Sequence, residues 1–168
     1  MKKLFPVFCT IIVTLNPSYA QNIKADKSAI ALAQFDKALA TIESKDFVIT
    51  VDPSLNNYGG GGEPSYVTDF LSYKEDTLIV QGIIPGRDMQ TLKVSEYNQV
   101  TDRKGNVKIT MHVFGFFING KIDISLKKAY GNVAYIIVTR YNKQGSRRFW
   151  GRVLPRSEAS FYKLPGKF

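Results

Sequence analysis

From Asp69 to Val153 apolar and polar side chains alternate with a period of two. In VKITMHVF (107–114) Val107, Ile109, Met111 and Val113 share one face. In KIDISLKK (121–128) Ile122, Ile124 and Leu126 point one way, and Lys121, Asp123, Ser125 and Lys127 the other. Such alternation predicts a sheet with one dry face and one wet face. FLSY and TLIVQGII flank the turn KED as a hairpin. LKVSEYNQV and VKITMHVF flank TDRKGN, whose Gly105-Asn106 accepts the positive φ of a tight turn. Asn119-Gly120 reads as another turn before KIDISL; NVAYIIVTRY follows Gly131, and RRFWGRV follows NKQGS. With FVITV (47–51), stopped by Pro53, these make about eight strands on short connections, hence mostly antiparallel neighbours.

Upstream the period changes. In DKSAIALAQFDKALATIESK, Leu32, Phe35, Leu39 and Ile42 recur at three- and four-residue steps, predicting an amphipathic helix that covers the dry face. Asp26 is placed to cap its first turn. The expected architecture is α+β: an N-terminal helix packed on a curved, mostly antiparallel meander. Residues 53–65, with Gly59–Gly62, read as a mobile loop. A phosphate-binding loop would need a Lys-Ser/Thr pair after its last glycine, and here Glu63 and Pro64 follow.

The first residues carry a different signal. Lys2 and Lys3 precede an apolar run from Leu4 to Leu15, and Ser18 and Ala20 supply small residues before Gln21, the pattern of a secretory signal peptide. A membrane span needs about 20 apolar residues, and Pro6, Asn16 and Pro17 cut this run short. Cleavage near Ala20 predicts a single periplasmic or secreted α+β domain over 21–168. The single Cys, Cys9, lies inside the apolar run and is preceded by FPVF, so no lipid anchor is expected there. The mature body would be thiol-free and held by packing alone. Losing Lys2 and Lys3 would leave 21 basic against 14 acidic side chains, a net charge of +7. Such a balance suits a polyanion, and outside the cytosol that means headgroups or anionic glycans rather than nucleic acid.

The order of helix, hairpin ending in IIPGRD, and strands closing on NVAYIIV and RRFWGRV resembles the Domain of Unknown Function 4251 family of small exported bacterial proteins. Ile84, Pro85, Gly86 and Arg87 stand where that family has a Leu-Pro-Tyr-Phe-Gly-Arg element, and the Tyr-Phe pair is missing. Gly151 and Val153 match its closing strand. The resemblance implies an envelope location and brings no established activity.

The inventory for catalysis is thin. His112 is the only histidine, expected on the wet face with Lys108 and Thr110, so no metal and no cofactor is expected. No Gly-x-Ser-x-Gly elbow exposes a serine. Glu96 shares strand parity with Leu92, Val94 and Val100, and Asp69 with Val67 and Leu71. A carboxylate on a dry face can serve as an acid, which makes an envelope glycoside hydrolase using Glu96 one reading. A second is a structural partner of another envelope protein, joined through an exposed sheet edge. The leading one is a non-enzymatic binding or envelope-maintenance module. In it Arg148, Trp150 and Arg152 project from one face of the last strand, widened by Tyr97, Tyr135 and Tyr141, toward an anionic glycan or peptide.

Overall fold

Eight strands follow one another around a ring, and the last pairs with the first. The computed structural model describes residues 17–55, 69–82, 89–116, 118–141 and 146–161. Helix α1 (Pro17–Glu43) leads into β1 (Asp46–Val51), β2 (Phe70–Lys74), β3 (Thr77–Gln81) and β4 (Gln90–Thr101). β5 (Val107–Phe114), β6 (Asn119–Leu126), β7 (Val133–Arg140) and β8 (Ser146–Pro155) complete the series. Each strand is antiparallel to the next, and β8 returns to β1 with Val153 opposite Ile49 and Gly151 opposite Val51. The predicted meander is therefore a closed barrel. Closure overturns the exposed-edge reading, because each of the eight described strands has two hydrogen-bonded neighbours.

The dry face is the interior. Phe47, Ile49, Leu71, Tyr73, Leu78, Leu92, Ile109, Met111, Ile122, Ile136 and Phe149 belong to one buried cluster, which Phe35, Ala38 and Ile42 of α1 join. The helix lies where β1 begins, β8 ends and the β6–β7 connection passes, so it stops one end of the barrel rather than covering a sheet. Two details of the predicted helix change. It starts at Pro17, which leaves Asp26 in its interior instead of at its N-cap. Its buried arc centres on Ala38 and Ile42, and Leu32 is 46% exposed. Gly131 lets the helix come close to the β6–β7 connection: a Cβ there would stand 2.8 Å from the Gln34 amide oxygen and 3.4 Å from the Ala31 carbonyl oxygen.

Local chemistry sets the turns. Glu75 and Asp76 both have positive φ (48° and 58°), as the primed two-residue hairpin turn requires. In the β4–β5 turn Gly105 takes φ +78°, while the Asn106 side-chain amide donates to Asp102 Oδ2 at 2.9 Å. Asn119 and Gly120, expected in a turn, instead open β6. A side chain at Gly120 would collide with the Thr139 carbonyl, so glycine is there for a close strand approach.

A bulge in β4 overturns the assignment of Glu96. Val94 faces Val113, yet Glu96 faces His112, so Ser95 is an extra residue and the phase of the strand slips. Leu92 and Val94 point inward before it; Tyr97 and Gln99 do so after it, opposite Met111 and Ile109. Glu96 consequently faces solvent, its side chain 66% exposed. Asp69 sits just before β2, half-buried, with its carboxylate against Gly82.

Inside the barrel Tyr97 stacks on Tyr73 (5.2 Å between ring centres) and donates to Gln99 Oε1 at 3.1 Å; Tyr73 donates to Asp76 Oδ1 at 3.0 Å. Burial first, then Asp76, pushes the Tyr73 phenol up to about 12. Burial, then Tyr73, does the same for Tyr97. Because these folded-state values lie above the unfolded value, the stability they contribute is intact below about pH 10 and is lost as pH rises toward about 12. Absorbance titration should therefore leave Tyr73 and Tyr97 un-ionised until the alkaline unfolding transition. Ionisation of both near the ordinary tyrosine value would contradict the buried stack.

Candidate functional site

The β7–β8 pair carries an aromatic cluster on the outside of the barrel. Along β7, Ala134, Ile136 and Val138 are buried inward, so Val133, Tyr135, Ile137 and Thr139 face out. Along β8, Phe149, Gly151 and Val153 are buried, so Arg148, Trp150 and Arg152 face out. The register sets Tyr135 opposite Trp150, Ile137 opposite Arg148 and Val133 opposite Arg152. The Tyr135 and Trp150 ring centres are 4.6 Å apart, tilted by 41°. A short 3-10 turn, Lys128–Tyr130, brings Tyr130 edge-on to Trp150 at 6.0 Å, and the Lys127 ammonium lies 6.0 Å from the Tyr130 ring.

The cations on this face differ. Arg152 Nε lies 3.4 Å from Asp52 Oδ2. Asp52 also accepts from the Ser54 hydroxyl at 2.6 Å and the Ser54 amide at 2.9 Å. The Ser54 hydroxyl, ahead of the opposing effect of burial, together with the Ser54 amide and Arg152, holds the Asp52 carboxyl below its usual range. Arg152 is thus partly neutralised. Arg148 is exposed and has no ion pair among the described residues. One row further round, Asp123 is 7% exposed on the outer face of β6. Burial alone would raise its pKa, but the Thr110 hydroxyl at 2.8 Å, Lys121 at 3.0 Å and Lys108 at 3.6 Å outweigh burial and hold it low.

The structure therefore brings four of the six residues expected at a ligand face together: Arg148, Trp150, Arg152 and Tyr135. Tyr97 does not share the face, because the Ser95 bulge turns it into the interior. Tyr141 follows β7 at the opposite end of the barrel from α1, its hydroxyl 2.6 Å from His112 Nδ1. Tyr130 was missed; its only signal was an aromatic in a turn just before Gly131. The Glu96–His112 pair, 3.8 Å between Oε2 and Nε2, was hidden by the bulge. The resemblance residues Ile84, Pro85, Gly86 and Arg87, and Gly59–Gly62, lie outside the described residues. Among the described residues no three His, Cys, Asp or Glu side chains gather, and no helix is long and apolar enough to cross a membrane.

No family profile and no curated protein matches the chain in sequence. Its fold has a solved counterpart. A DUF4251 family protein from Bacteroides eggerthii DSM 20697 superposes with a TM-score of 0.60 at 19% identity, covering 79% of this chain and 94% of that one. The likeness shows that the two share a fold, as the resemblance read from IIPGRD and the closing strand led one to expect.

Proposed function

We propose that the chain is an exported, non-enzymatic binding module of the DUF4251 type, which holds an anionic glycan or peptide on the outer face of β7–β8. The observation that carries this reading is the Tyr130–Trp150–Tyr135 ring cluster flanked by Arg148 and Arg152. Flat rings stack on sugar or side-chain faces, and guanidinium groups beside them pair with carboxylate or sulfate. A packed interior supports it from the other side: apolar residues fill most of the inward positions of the described strands, Gln90 and Gln99 being polar exceptions, and the Tyr130–Trp150–Tyr135 cluster is outside.

Removal of residues 1–20 by signal peptidase belongs to the same proposal. Cleavage after Ala20 would shorten α1 but spare its buried side chains, Phe35, Ala38 and Ile42. The hydrolase reading loses its basis, since Glu96 stands in solvent and not on the dry face. The test is retention on an immobilised polyuronate. Arg148→Ala with Trp150→Ala should weaken it at least about tenfold, in line with one stacking contact and one charge lost. The melting temperature should fall by no more than about 4 °C. Retention equal to that of the unaltered protein would eliminate this face as the site.

A further inference from the structure

The β5–β6 turn, on the barrel end opposite α1, exposes two phenylalanines within three residues: Phe114 is 64% and Phe116 92% exposed. Tight turns are ordinarily made from Gly, Asn, Asp, Ser and Pro, which leave no apolar ring in water. This turn is instead built to hold its rings out. A side chain at Gly115 would collide with Leu92, and Ile118 on the far side is fully buried, so the tip is pinned between two core contacts.

Register enlarges the patch. Phe114 has Lys93 and Asn119 as its cross-strand partners, and the Tyr141 amide donates to the Asn119 carbonyl at 2.9 Å. Lys93, Phe114, Asn119 and Tyr141 thus form one row on the rim, with Tyr141 59% exposed. Two cations lie on the same face: Lys93 in the row and Lys121 in the next row, opposite His112. Lys121 is shared with Asp123 and His112 with Glu96.

We propose that this rim is an insertion tip that seats the barrel on an anionic phospholipid surface, with Phe116, Phe114 and Tyr141 at the headgroup–acyl boundary and Lys93 at the phosphates. Aromatic rings partition to that boundary, and basic side chains beside them are drawn to anionic headgroups. A ring that is 92% exposed suits a medium that closes around it, and the formal charge of +9 is complementary to an acidic bilayer. The tip lies on β5–β7, away from the Trp150 cluster, and does not depend on the glycan reading.

The experiment is vesicle flotation of the full chain with phosphatidylcholine vesicles, with and without phosphatidylglycerol. The unaltered protein should float with the anionic vesicles, and Phe114→Ser with Phe116→Ser should weaken that binding at least about tenfold while its circular-dichroism melt stays unchanged. Trp150→Phe with Phe116→Trp then leaves one tryptophan at the tip, whose emission should shift to the blue on anionic vesicles. Arg148→Ala with Trp150→Ala should leave flotation intact, which separates this site from the glycan face. Equal flotation of the Phe114/Phe116 variant, as binding driven by the apolar residues 4–15 would give, or an unshifted emission, overturns the proposal.

Discussion

Phe35→Ala should be the most damaging single truncation in α1, lowering the unfolding free energy by about 4 kcal/mol in urea denaturation. Phe35 is fully buried and reaches into the same cluster as the barrel interior, with the Lys128 ammonium 5.8 Å from its ring centre. Removing the ring leaves a cavity between the helix and the barrel end that neither can close. The surrounding groups are backbone-tied: Gly131 already touches Ala31 and Gln34, and β1 and β8 are locked to each other. Leu32→Ala is the matched control, since both residues belong to the same predicted stripe. At 46% exposure it should cost no more than about 0.5 kcal/mol. Equal costs for the two would mean that α1 docks in the orientation its stripe predicts and not as described.

Gly151→Val should destabilise the protein by about 3 kcal/mol, through the seam where β8 meets β1. A Cβ at Gly151 would stand 2.7 Å from the Ile49 methyl and 2.7 Å from the Thr50 carbonyl oxygen. The carbonyl cannot swing away without breaking the ladder that joins Phe47–Val51 to Gly151–Pro155. The strain therefore falls on the pairing that closes the ring. Amide hydrogen exchange should show it as loss of protection in β1 and β8 before the β5–β6 pair. Unchanged stability with unchanged protection would mean the seam is looser than this register.

Sequence periodicity carried most of the strands. VKITMHVF is β5 residue for residue, and FVITV, FLSY, NVAYIIVTRY and RRFWGRV fall within a residue or two of β1, β2, β7 and β8. It failed in β4. Val100 is apolar yet 55% exposed, whereas Tyr97 and Gln99 point inward, so an even-numbered apolar row ran straight through Ser95 as if no bulge were there. That one inserted residue displaced Glu96 and Tyr97 to opposite faces from those expected. The candidate face was more legible, because Arg148, Trp150 and Arg152 share parity within one unbulged strand and Tyr135 is Trp150's neighbour in the ladder. Beyond β8 the ring of Phe161 lies 4.5 Å from that of Phe70.

What the sequence determined by itself is local: a helical period, a short β-branched stretch, then stretches of period two with turn residues between most of them, and so the face of the side chains in the alternating strands other than β4. What only the tertiary structure decided is the pairing of β1 with β8, the stoppering of one end by α1, and the gathering of Tyr130 with Trp150. These contacts join residues far apart in the chain. They depend on sheet curvature and on one extra residue in β4, which leave no mark in the alternation of apolar and polar positions.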